Sequence, residues 1–365
     1  DLGIYSDAVG AVSVGSVGGS IESSTGVLTG SSYTFAPASD IDVVVTAILA
    51  GTGAVLKSGG GRATLSAANT YAGGTTVSDG ILVAGASTSG AVTSGPFGTG
   101  EITVQEGASL DIAGQTISNA MSIQCEGYDV TDALFAHAAL YNSSVIEGTV
   151  SGTVTLMGDT TILTNGILTL SGGIDATTEG ADSDLTLGNP ALTTGIKVLG
   201  AIGGTNPISS LNASTRILLG ADITTTGNQS YANSATLNAD TALSTGVGSG
   251  DVTFGSTVDG AYALELTAGS GNINFDGAVG ATDALGDVTI VSAATLDTDD
   301  VFKAASFKQN AGAVLTQFDG AVTLTGNFDF TGQALSLNAA LGSGGTVEVA
   351  NVGTFTTAAA GDISS

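Results

Sequence analysis

One stretch of the sequence, residues 59–84, constrains the fold more than any other. It reads GGGRATLSAANTYAGGTTVSDGILVA, in which short runs of Thr, Val, Leu and Ile are separated by Gly-Gly and Asp-Gly. Such runs predict strands, and the two glycine dipeptides predict tight turns. Because the strands recur at about 8–10 residues, the pattern indicates a chain that winds into coils rather than a compact globule.

This stretch resembles the autotransporter-associated β-strand repeat, which occurs in secreted passenger domains of Gram-negative bacteria. The resemblance weakens beyond residue 124 and ends at about residue 205. It implies a β-helix that is exported from the cell. The matching positions are Gly61, Leu65, Asn69, Thr70, Tyr71, Gly73, Gly74, Thr75, Thr76, Val77, Gly80 and Leu82.

The composition argues against helical, disordered and membrane-spanning proteins. Charged residues make up 11% of the chain, against about 25% in a typical globular domain. Long amphipathic helices are not expected, because the charged helix formers are scarce. Hydrophobic residues make up 42%, which is enough for a folded core. The most apolar run, residues 43–56, is too short to span a bilayer, so we expect no membrane insertion.

The formal net charge of −27 narrows the range of partners. The chain has 33 acidic and only 6 basic residues, and the basic residues are scattered. Nucleic acids and anionic lipids both require a positive patch, so neither is an expected partner. Strong acidity is typical of a soluble, exposed surface and is compatible with divalent cations. The chain opens without a secretory leader pattern, so we expect a mature product or a fragment.

The second half carries its own repeat of apolar–polar–apolar triplets. Residues 252–254 precede residues 273–275 by 21 positions, and residues 264–266 precede residues 288–290 by 24. A step of this size fits one coil of three short strands and three turns. This half resembles repeats of giant bacterial surface proteins, including filamentous-haemagglutinin-like adhesins.

These patterns predict an all-β, right-handed parallel β-helix, or β-solenoid, with about 20–24 residues per coil. We expect three segments: entry coils over residues 1–50, a passenger-repeat-like helix over 51–205, and a second repeat type over 206–365. In each coil the inward side chains would stack into apolar ladders.

The candidate site residues are few. Cys125 and His137 are the only thiol–imidazole pair, and their spacing of half a coil places them on different faces, so nucleophilic catalysis is not expected. The densest acidic group contains Asp297, Asp299 and Asp300. Three interpretations stay open for it: a solvated turn, a Ca²⁺ site formed by carboxylate oxygens, or a catalytic cluster. No other cofactor is expected.

The predicted function is structural and not enzymatic. We expect an extracellular rod of a bacterial surface or secreted protein, such as an adhesin stalk, a surface-layer component or a filament subunit. Its expected partner is a second copy, through head-to-tail or lateral assembly, because solenoid ends present unpaired strands. Two alternatives stay open: an adhesin module that binds host or neighbouring-cell glycans or proteins, and a polysaccharide-degrading β-helix enzyme.

Overall fold

The structure is a computed structural model that describes residues 3–124, 127–128, 138–178, 182–189, 195–358 and 363–364. These residues form strands, turns and bends without a helix. Accordingly, no helix of the described residues is long and apolar enough to cross a membrane. The predicted fold class is confirmed: parallel strands stack as a β-solenoid of about 16 turns in the described residues. The right-handed sense stays a prediction.

Residue contacts divide the chain into two compact units. The first contains Asp1–Thr177 and Ala181–Ile196, and the second contains Thr178–Gly180 and Lys197–Ser365. The three segments expected from the sequence stay a prediction, since the contacts define units on a different basis.

The first unit is built from short strands, most of them three to five residues long. They are β1 (Asp7–Ala8), β2 (Ala11–Val14), β3 (Gly19–Ile21), β4 (Val27–Thr29), β5 (Ser32–Phe35), β6 (Asp42–Val45), β7 (Ile48–Ala50), β8 (Val55–Lys57), β9 (Arg62–Leu65), β10 (Thr75–Val77), β11 (Gly80–Ala84), β12 (Ile102–Val104), β13 (Ala108–Asp111), β14 (Thr116–Ile117), β15 (Met121–Ile123), β16 (Leu140–Asn142), β17 (Gly148–Val150), β18 (Val154–Leu156), β19 (Thr160–Thr164), β20 (Leu168–Leu170), β21 (Ile174–Ala176), β22 (Asp184–Gly188) and β23 (Gly195–Val198), which begins in this unit.

Successive coils place equivalent strands beside one another. One sheet of the first unit runs β2-β5-β8-β10-β12-β15-β18-β21. Most steps match the predicted coil length: Thr75 pairs with Val55, 20 residues earlier, and Gly19 pairs with Val43, 24 residues later. Longer steps occur where a loop leaves the coil, as between Met121 and Val154.

The second unit combines short strands with three long ones. Its strands are β24 (Ser210–Ala213), β25 (Arg216–Leu219), β26 (Ile223–Thr224), β27 (Gln229–Tyr231), β28 (Ala235–Leu237), β29 (Thr241–Ser244), β30 (Val252–Phe254), β31 (Val258–Asp259), β32 (Leu264–Thr267), β33 (Ile273–Phe275), β34 (Leu285–Thr298), β35 (Phe302–Gln309), β36 (Gly312–Phe318), β37 (Val322–Leu324), β38 (Phe328–Gly332), β39 (Leu335–Leu337), β40 (Leu341–Ser343), β41 (Val347–Asn351), β42 (Phe355–Thr357) and β43 (Ile363–Ser364).

The predicted triplet repeat sets the register of this unit. Val252 pairs with Ile273 in a parallel ladder, and Leu264 pairs with Val288. Both pairs have the spacing that the sequence predicts. The triplets therefore mark equivalent strands of successive coils, and their first and last residues point into the core.

Aromatic side chains stack along the core of the second unit. The ring centroids of Tyr231 and Phe254 lie 4.8 Å apart, and those of Phe254 and Phe275 lie 5.0 Å apart, with nearly parallel planes. These distances match the spacing of about 4.8 Å between neighbouring strands. Because parallel pairing superimposes equivalent residues, a repeated aromatic position becomes a continuous stack.

Candidate functional site

The buried asparagine of the recognised stretch ties two coils together. The Asn69 side chain is fully buried. Its Oδ1 accepts a hydrogen bond of 2.8 Å from the Leu49 backbone N–H, one coil earlier. Its Nδ2 donates a bond of 2.7 Å to the Pro96 carbonyl, one coil later. Asn69 therefore satisfies backbone groups that would otherwise be buried without partners.

Tyr71 of the same stretch is also a core residue. Its ring is fully buried, and its hydroxyl lies 2.6 Å from the Thr75 hydroxyl. Thr75 in turn donates to the Phe97 carbonyl at 3.1 Å. Burial raises the pKa of the Tyr71 hydroxyl well above its usual value. The side chain is therefore a structural member of the coil interior and is inaccessible to a sugar ligand.

Lys57 is a buried cation that sequence reasoning missed. Its side chain is fully buried, and its Nζ donates to the carbonyls of Gly59 and Asp79 at 2.7 and 2.8 Å. Desolvation lowers the pKa of the ammonium to about 8, against the attraction of the Asp79 carboxylate. The sequence offered one signal: a charged residue at an inward position of a strand.

Asp111 is a buried carboxylate that the sequence also did not single out. It lies 3.6 Å from the Arg62 guanidinium and accepts hydrogen bonds from the backbone and hydroxyl of Ser143 at 3.1 and 2.7 Å. Ala113 N–H donates to it at 2.9 Å. Burial raises the pKa of Asp111, although all of these partners act to lower it. Each contact joins neighbouring coils, so Asp111 acts structurally.

The acidic group predicted in the second unit is rearranged in the structure. Carboxylate oxygens of Asp297, Asp299 and Asp319 lie within 4.8 Å of one another. Asp300 lies outside this group, and its Oδ1 accepts a bond of 2.7 Å from the Val301 N–H. Of the three predicted residues, the structure thus brings two together and replaces the third with Asp319. The signal for Asp319 was its position 20 residues after Asp299, one coil later.

Asp297 is the residue of this group whose environment is least satisfied. Its Oδ1 is buried and has no hydrogen-bond partner. Burial raises its pKa, and the charges of Asp299, Asp319 and Asp276 raise it further. This arrangement favours either a protonated Asp297 or a bound cation.

Other acidic side chains of the second unit have a structural explanation. The carboxylates of Asp222 and Asp240 each precede a strand and accept the backbone N–H of Ala242 and Ala263, respectively, at 2.9 Å. Asp251 accepts a bond in the same way one coil earlier than its donor. Many of the acidic residues therefore cap the N–H of the equivalent strand on the next coil.

A second acidic group, in the first unit, contains Asp159, Asp182 and Asp184, all exposed. Here Asp159 Oδ1 accepts a bond of 3.0 Å from the Asp184 N–H, so the group also joins neighbouring coils. Cys125 and His137 lie outside the described residues, and the expectation that they are separated stays a prediction.

The fold and the buried motif define a parallel β-solenoid whose coils are tied together by side chains of residues 55–84. These same residues match the family model described as Passenger-associated-transport-repeat. The resemblance predicted from residues 59–84 is thereby confirmed for this segment. No curated protein and no solved structure matches the chain.

Proposed function

We propose that this chain is part of the passenger region of a bacterial protein exported to the cell surface, where the solenoid has a structural role. The observation that carries the proposal is the passenger-repeat match over residues 55–84. The structural role is supported by the contacts of that segment: Asn69 and Tyr71 are buried and serve the coil rather than a ligand.

The proposal is tested by locating the protein on intact cells of the organism that encodes it. We expect antibodies against the purified chain to label intact cells and externally added protease to remove that label. Labelling that appears only after the cells are lysed contradicts export. Self-association and the binding of glycans or host proteins stay predictions from the sequence.

A structural Ca²⁺ site at Asp297, Asp299 and Asp319 is a second candidate function. Ca²⁺ binds carboxylate oxygens at about 2.3–2.6 Å, so two ligands on opposite sides of one ion lie about 4.8 Å apart. The three carboxylates are grouped within that distance. The buried, unpartnered Oδ1 of Asp297 favours an ion over a solvated turn.

The calcium proposal is tested with a matched pair of neighbouring substitutions, Asp299→Asn and Asp300→Asn. Both remove one negative charge, but only Asp299 belongs to the group. At a Ca²⁺ concentration 100 times the dissociation constant, binding would stabilise the unit by about 2.7 kcal/mol. We expect Ca²⁺, in thermal unfolding, to raise the midpoint of the wild type and of Asp300→Asn but not of Asp299→Asn. An equal response of both variants would exclude the site.

A further inference from the structure

Lys57 occupies a position that is otherwise reserved for apolar side chains. It is the last residue of β8, and its register partners on the neighbouring coils are Phe35 and Val77, both fully buried. An inward-pointing amine loses its hydration on folding, which costs free energy unless its N–H groups find partners. The fold therefore has to supply acceptors at this point.

The acceptors are backbone carbonyls from the corners of two successive coils. The Gly59 carbonyl belongs to the corner that follows β8, and the Asp79 carbonyl belongs to the corner that follows β10. They accept from Nζ at 2.7 and 2.8 Å, and the Ser58 carbonyl lies at 3.5 Å. The hydrogen bonds of the amine thus all go to main-chain oxygens.

Glycine at the second corner keeps the space around the amine open. Gly80 has φ of +66°, and a Cβ there would lie 2.7 Å from Lys57 Nζ. The same Cβ would lie 2.5 Å from the carbonyl oxygens of Gly59 and Gly61. The corner therefore forms a carbonyl-lined cradle that fits one nitrogen and excludes any side chain at residue 80.

We propose that this cradle is a primary-amine site and that Lys57 fills it as an internal clamp between coils. Two short bonds match the two N–H groups that even a neutral amine retains, so the clamp does not depend on full protonation. Every residue of the clamp lies within residues 55–84. This inference is independent of where the protein is located, and it assigns a role to a residue that the proposed function leaves unexplained.

The first experiment uses the unmodified full chain and amine-reactive acetylation followed by mass spectrometry. Lys57 is compared with Lys308, which is exposed on β35. We expect Lys57 to react at least 100-fold more slowly in the folded protein and equally fast after denaturation. Equal rates in the folded protein would overturn the proposal, and this measurement does not depend on whether any variant folds.

The second experiment restores the amine from solution. In Lys57→Ala, limited proteolysis at the corners of residues 58–61 and 78–80 should be at least 10-fold faster than in the wild type. Propylammonium chloride should restore protection, whereas tetramethylammonium chloride at the same concentration should not, because it has no N–H to donate. Lys57→Met fills the space and should not respond to either salt. Equal effects of the two salts on Lys57→Ala, or full protection of Lys57→Met, would overturn the proposal.

Discussion

Buried polar side chains hold the coils of the first unit in register, so single substitutions there are costly. Asn69→Ala would leave the Leu49 N–H and the Pro96 carbonyl buried without their partner. Because an unsatisfied buried group costs about 1–3 kcal/mol, we expect a loss of about 3 kcal/mol in free energy of unfolding.

Urea unfolding would measure this loss, with Thr76→Ala as the control. Thr76 lies on β10 within the same stretch and is only partly buried. Its substitution should stay within about 0.5 kcal/mol of the wild type. Equal losses in the two variants would contradict the bridging role of Asn69.

Asp297 makes the stability of the second unit depend on pH. Burial and neighbouring carboxylates raise its pKa in the folded state above the ordinary value of 3.8. The unfolded chain therefore releases this proton first as the pH rises, and stability falls until the folded-state pKa has been passed. In chelator, Asp297→Asn should flatten this decline and make the unit more stable than the wild type at pH 7.

The measurement is the thermal midpoint of the second unit between pH 3 and pH 7, in chelator. Asp300→Asn is the control, because it removes a charge outside the group. A wild-type curve that rises through the same window while Asp297→Asn leaves it unchanged would contradict the assigned direction.

At the scale of the elements, the corners decide which residues are tolerated. Gly80 and Gly107 both have positive φ, +66° and +74°. A Cβ at Gly80 would lie 2.5 Å from two backbone carbonyl oxygens, whereas one at Gly107 would meet nothing within 4 Å. Gly107→Ala should thus cost only the conformational strain, about 1–2 kcal/mol, and Gly80→Ala should cost distinctly more.

Comparing the denaturation midpoints of these two variants separates strain from steric exclusion. A shared loss of similar size would show that the corner at residue 80 relaxes around the methyl group. The pair is informative because the two glycines have nearly the same backbone conformation and differ mainly in their surroundings.

The strands and corners were predictable because their signals are local. The 21-residue spacing of Val252 and Ile273 gives their register directly. Asp319 was not placed with Asp299, because their proximity depends on the pairing of β34 with β36. Lys57 was missed for a different reason: lysine is rarely buried, and only the stacking of two corners supplies its acceptors.

At the scale of the whole molecule, each coil is stabilised mainly by the coils beside it. The second unit shows this in the stack of Tyr231, Phe254 and Phe275. Removing the central ring takes packing from both neighbours at once. A core Phe→Ala substitution costs about 3–5 kcal/mol, and in a solenoid that loss should be concentrated in adjacent coils.

We therefore expect Phe254→Ala to lower hydrogen-exchange protection most strongly in β27, β30 and β33, with smaller effects at β39 and β42 of the same unit. Tyr262→Ala is the control, because Tyr262 is 42% exposed and its loss should leave all of these strands protected. A uniform loss of protection across the second unit would contradict nearest-neighbour coupling, because it would mean that the unit opens as one cooperative block.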